Sequence, residues 1–78
     1  MIKQKLINRR NEQNITQEDM SFRLGMSQSQ YSRRESGMTK ISKKEWDKIA
    51  KVLETSLEEI YEPEDGVYII NNPLGVII

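Results

Sequence analysis

The sequence contains no cysteine and no histidine. The first absence excludes disulfides and thiolate chemistry, and the second removes the ring nitrogens that zinc sites commonly use. Together they exclude a Ser-His or Cys-His nucleophile pair. No metal set, phosphate loop or calcium-loop spacing replaces them, so no cofactor and no enzymatic activity are expected. No apolar run approaches the roughly 20 residues that span a bilayer. Residues 1–20 place Lys3, Lys5, Arg9, Arg10 and Glu12 among their apolar positions and hold no signal-peptide core, so a cytoplasmic location without membrane contact is expected. Net charge is missing too, since 12 Lys and Arg balance 12 Asp and Glu.

What is present is unevenly arranged. Residues 1–44 carry ten Lys/Arg against four Asp/Glu, a balance of +6, and residues 45–78 carry two against eight, a balance of −6. A basic front and an acidic back suit a chain that meets phosphate with one face. The 78 residues make a single domain with a small core, modest in stability unless it dimerises.

The densest local signals lie in residues 16–37, TQEDMSFRLGMSQSQYSRRESG. Thr16 is a suitable N-cap, Asp19 three residues on completes a capping-box pattern, and Ile15 with Met20 forms a hydrophobic staple. Gly25 offers the left-handed conformation that ends many helices. The same grammar repeats with Ser27 and Gln30, with Met26 and Tyr31, and with Gly37 as the stop. Two capped helices, Gln17 to Leu24 and Gln28 to Ser36, joined by a three-residue turn outline a helix-turn-helix.

Around this pair the chain reads as three more helices. The first spans Met1 to Asn11, with Ile2, Leu6 and Ile7 inward, Lys3, Gln4, Asn8 and Arg9 outward, and the stem of Arg10 extending the apolar face. Residues 11–14 form a loop and 38–41 a connector. The fourth helix opens with Ser42 and Glu45, and Trp46, Ile49, Ala50 and Leu53 repeat at i, i+3, i+4 and i+7. Ser56 with Glu59 starts a fifth helix from Leu57 to about Glu62, stopped by Pro63. The fold class is therefore all-α, five helices over residues 1–62. Residues 63–78 form an acidic linker and an apolar tail of β-forming composition, Val67 to Ile70 and Val76 to Ile78 around an Asn-Asn-Pro-Leu-Gly turn. A lone hairpin is marginal in water. The tail is thus expected to dimerise, to pack on the helices or to begin a further segment.

Gln28, Ser29 and Gln30 occupy the first turn of the third helix, the end that enters a major groove in helix-turn-helix docking. Glutamine bonds an adenine edge in bidentate fashion, arginine does the same to guanine, and serine serves several bases. Arg33 lies one turn beyond Gln30. Gln17, at the start of the second helix, offers a backbone N–H and an amide to a phosphate, and Thr39, Lys40, Lys43 and Lys44 follow the third helix as candidates for the flanking backbone. The bland alternative is an ordinary solvated face. Trp46, Met20 and Met26 read as core, the glutamates near the end of the fifth helix as a solvated surface, and Glu35 as a structural partner of Arg33 or Arg34.

The stretch resembles the phage repressor-like helix-turn-helix family, also called the Cro/C1 or XRE family. The residues that carry the resemblance are Thr16-Gln17-Glu18, Leu24-Gly25-Met26-Ser27, Tyr31 to Gly37, Ile49 to Leu53 and Ser56 to Ile60, within residues 2–62. The resemblance implies a five-helix domain that binds double-stranded DNA, commonly as a homodimer, and regulates transcription, with repression the expected effect. By position in the motif it assigns DNA contact to Gln17, Gln28, Ser29, Gln30, Arg33, Ser36 and Thr39. Arg34 departs from the family, standing where an apolar residue is usual, and is expected to reach Glu35, Glu45 or the DNA backbone. Two other readings compete: an antitoxin whose tail docks a toxin by strand addition, and a protein-interaction module without DNA binding.

Overall fold

In the computed structural model, which describes residues 1–63, five helices follow one another: α1 (Gln4–Glu12), α2 (Gln17–Leu24), α3 (Gln28–Ser36), α4 (Lys43–Val52) and α5 (Leu57–Ile60). No strand occurs among the described residues. The acidic run beyond Pro63 and the apolar tail lie outside them.

Three helices start where a short hydroxyl side chain meets an unpaired N–H. Thr16, Ser27 and Ser42 accept from the N–H groups of Asp19, Gln30 and Glu45 at 3.0, 3.1 and 3.1 Å. At Ser27 and Ser42 the return bond is made as well, from the cap N–H to Gln30 Oε1 at 2.9 Å and to Glu45 Oε1 at 3.1 Å. At Thr16 the cap runs one way; the aspartate is one methylene shorter than the glutamate of a full box. Ser56 makes no cap bond to the backbone, and its hydroxyl reaches Glu59 Oε2 at 3.4 Å instead.

Both flanking helices are shorter than the sequence predicts. α1 begins at Gln4 because the Lys3 N–H is taken by the Glu35 carbonyl at 2.8 Å. That contact buries Lys3 and leaves Ile2 54% exposed, the reverse of the expected facing. Arg10 is buried with more than its stem. α5 ends at Ile60, since Pro63 disfavours helical geometry just before it and Tyr61 is already extended. Glu62 turns back instead, accepting the Lys5 N–H at the start of α1 at 3.1 Å, where a negative charge suits the helix dipole.

The core gathers Leu6, Met20, Leu24, Tyr31, Ile41, Trp46, Ile49, Leu53 and Ile60, with Ile15, Met26, Val52 and Leu57 partly buried around it. α2 packs chiefly on α3, α4 on α2 and α5, and α1 on α5 and α3. The helix-turn-helix is thereby backed on the side away from solvent. Phe22 of α2 is 86% exposed.

Candidate nucleic-acid interface

The turn between α2 and α3 is set by Gly25, which is left-handed at φ 72°. The N–H of Met26 bonds the Ser21 carbonyl at 3.0 Å and that of Gly25 the Phe22 carbonyl at 3.2 Å, so α2 stops in two bonds. Two residues later Ser27 opens α3. The first turn of α3 therefore leaves the body of the protein with Gln28, Ser29 and Gln30 all exposed.

What holds α3 in place is Glu35, 2% exposed. Arg10 Nε donates to its Oε2 at 2.6 Å and Arg10 Nη2 to its Oε1 at 3.0 Å. The Gln17 amide donates to Oε1 at 2.9 Å, and the Tyr31 hydroxyl donates to Oε2. Arg10 also holds the Ile15 carbonyl at 2.8 Å, next to the cap of α2. One carboxylate thus ties α1, α2 and α3 together beneath the exposed face. Burial pushes the Glu35 carboxyl up, but the hydrogen bonds from Arg10, Tyr31 and Gln17 outweigh it and hold the group below the usual glutamate range. Burial, then the bond to Glu35, raises the Tyr31 hydroxyl, and the same carboxylate raises Arg10 against its burial. At neutral pH the knot is a charged pair with a neutral phenol.

The predicted partners of Glu35, Arg33 and Arg34, are therefore not its partners. Neighbours in sequence on a helix point away from one another, whereas Arg10, 25 residues distant, approaches from α1. Arg34 takes one of its expected alternatives: its Nε and Nη2 grip the two oxygens of Glu45 at 3.1 Å each, tying the end of α3 to the start of α4. That bidentate pair, with the Ser42 backbone bond, holds Glu45 below its usual pKa. Arg10 and Tyr31 were missed as positioning residues. An arginine on an otherwise apolar helical face was the one available signal.

The ten candidate contact residues fall into distinct states. Gln28, Ser29 and Arg33 are exposed on α3. Gln30 is exposed, but its carbonyl oxygen already accepts the Ser27 N–H, which turns the amide back toward the cap. A bidentate adenine bond needs both ends of the amide presented to the base, so at Gln30 it competes with the capping bond. Gln17 is half-buried and its amide donates to Glu35; its backbone N–H stands at the start of α2, where helical N–H groups have no intrahelical partner. The Ser36 hydroxyl donates to the Arg33 carbonyl at 3.1 Å. Thr39 is half-buried and its N–H bonds the same carbonyl at 3.1 Å. Lys40, Lys43 and Lys44 are exposed, Lys43 standing 3.6 Å from Asp47, which is also exposed.

A turned-out polar helix start, locked by a buried ion pair and followed by lysines, is the geometry of a helix-turn-helix reader. A family model described as helix-turn-helix matches residues 6–60. The chain belongs to the Cro/C1-type helix-turn-helix family. Comparison with curated proteins and with solved structures finds no match. As a Cro/C1-type domain the chain joins a family of DNA-binding regulators, and the matched span contains all ten candidate residues. No described helix of this Cro/C1-type domain is long and apolar enough to cross a membrane.

Proposed function

We propose that the protein is a sequence-specific transcriptional regulator, a repressor that binds double-stranded DNA as a homodimer. α3 lies in the major groove, and Gln28, Ser29 and Arg33 read base edges. Gln30 contributes one donor. The observation that carries this reading is the exposed first turn of α3, with Glu35 fixing the helix from below.

Phosphates are held by the Gln17 backbone N–H, by Lys40 and Lys43, and by the open surface near Ser36 and Thr39. Dimer symmetry places two copies of α3 about 34 Å apart, one turn of DNA. Selection of bound duplexes from a random pool at fixed, near-physiological salt tests the reading. An enriched inverted repeat with half-sites about 10 base pairs apart supports the dimeric regulator. A single enriched half-site removes the dimer on DNA. No enrichment by a folded protein abandons sequence reading and leaves the interaction-module and antitoxin alternatives, the latter motivated by the apolar tail.

A further inference from the structure

Between α4 and α5 lies an open groove of about 720 Å³. Its floor is the buried pair Ile41 and Trp46, and part-exposed Leu57 and Tyr61 stand beside them. Tyr61 is 45% exposed although its ring meets Trp46 edge to face at 5.3 Å between centroids. Lys40 and Lys43 complete the rim. An apolar hollow of this size beside two cations, on a chain so small, costs exposed apolar surface unless something fills it.

We propose that this groove is the docking site of the segment Val67-Tyr68-Ile69-Ile70 of the same chain. Three observations converge on that occupant. The described chain ends at Pro63, two residues beyond Tyr61, which is itself part of the groove. Four further residues bring Val67 up to about 14 Å from Pro63, so the segment is close to the groove at high effective concentration. The segment is β-branched and aromatic, and the groove offers an indole, a phenol ring and two aliphatic side chains. Charge matches as well. Glu62 is spent on the start of α1, but Glu64 and Asp65 remain between it and the apolar run, and the rim presents Lys40 and Lys43. Acids ahead of an apolar run fit a hollow with cations at its edge. The proposal does not depend on DNA reading.

The test is nuclear magnetic resonance on the full 78-residue chain. Nuclear Overhauser contacts are expected between the methyl groups of Val67, Ile69 or Ile70 and the rings of Trp46 and Tyr61. In a one-to-one mixture of isotope-labelled and unlabelled chains, contacts filtered for different copies should be absent. The double variant Val67→Asp/Ile69→Asp, which leaves the helical core untouched, should lose the contacts and shift the Leu57 and Tyr61 resonances. Zero-length coupling of carboxylates to amines should join Lys40 or Lys43 to Glu64 or Asp65 within one labelled chain. If the contacts survive only between copies, the occupant is a second chain and the proposal is overturned. It is equally overturned if the wild-type chain shows no tail-to-groove contact, or if the double variant leaves the Leu57 and Tyr61 resonances where they were.

Discussion

The carboxylate of Glu35 receives donors from Arg10 of α1, Gln17 of α2 and Tyr31 of its own helix. Removing one partner of a buried ion pair leaves the other charge uncompensated, which costs about 3–5 kcal/mol, whereas replacing both with apolar side chains of similar volume is often close to neutral. Glu35→Leu and Arg10→Met should therefore each destabilise strongly, and the double variant should cost far less than their sum. Urea unfolding followed on Trp46 emission measures all three; additive losses would refute the coupling. The pH dependence has a definite sign. Glu35 is depressed in the folded state, so its contribution is complete above its usual value of 4.5 and is lost as pH falls through the lower folded value. Stability should fall on acidification in that window, and Glu35→Leu should flatten the fall. On the exposed face the two glutamines of α3 separate. Gln28 has both ends of its amide open to solvent, so Gln28→Ala should lose about 1–3 kcal/mol of discrimination at one base pair. Gln30→Ala, whose carbonyl serves the cap, should act mainly on the start of the helix. Titration of the selected operator and its single-base variants distinguishes them; equal loss on every sequence from Gln28→Ala would remove its reading role.

Four helices end in one device, in which a residue one or two positions past the helix is left-handed and two N–H groups turn back to the last carbonyls. The left-handed residues are Asn14, Gly25, Gly37 and Glu54. At Glu54 the returning bonds run from the Thr55 N–H to the Ala50 carbonyl at 3.0 Å and from the Glu54 N–H to the Lys51 carbonyl at 3.1 Å. Glutamate carries a Cβ into a conformation that glycine takes without cost, so Glu54→Gly should stabilise by about 0.5–1 kcal/mol despite a more flexible unfolded chain. A variant less stable than wild type would mean that the Glu54 side chain contributes more than its strain. The two glycines are not equivalent. A Cβ on Gly25 meets nothing within 4 Å, whereas one on Gly37 would collide with backbone atoms of Met1. Gly37→Ala should thus lower the melting temperature more than Gly25→Ala; equal shifts would show that the N-terminus simply moves aside. These ends also show what was legible in the sequence. A cap and its partner are three residues apart, so Ser27 with Gln30 and Ser42 with Glu45 could be read directly, as could the stops at the two glycines. Asn14 and Glu54 carry no comparable local mark. The start of α1 was misjudged because it is fixed by the Glu35 carbonyl from another helix, and Arg10 with Glu35 is a contact of tertiary packing. The face of α3 was legible for the opposite reason, since its exposure follows from the local placement of Tyr31 inward.

With 12 charges of each sign, the molecule as a whole has no net attraction for a polyanion, so DNA association must come from how the charges are placed. Half of the acidic residues among the described set lie on α4, α5 and the turn between them, while Arg33, Lys40, Lys43 and Lys44 cluster from α3 to the start of α4. A patch of this kind binds by releasing counterions locally, and the logarithm of affinity falls with the logarithm of salt by about 0.9 for each phosphate neutralised, whatever the net charge. Lys43 is exposed and its 3.6 Å approach to Asp47 is too solvated to hold it away from a phosphate. Lys43→Ala should therefore weaken every duplex alike and reduce the salt slope by about one per protomer, about two for a dimer. Base reading by Gln28 predicts the complementary pattern, a sequence-dependent loss with the slope nearly unchanged. Measuring both variants on operator and random duplexes across a salt series separates the two contributions. If Lys43→Ala left the slope unchanged, the start of α4 would not lie against the DNA backbone, and the docking of α3 would need a different tilt to keep its first turn in the groove.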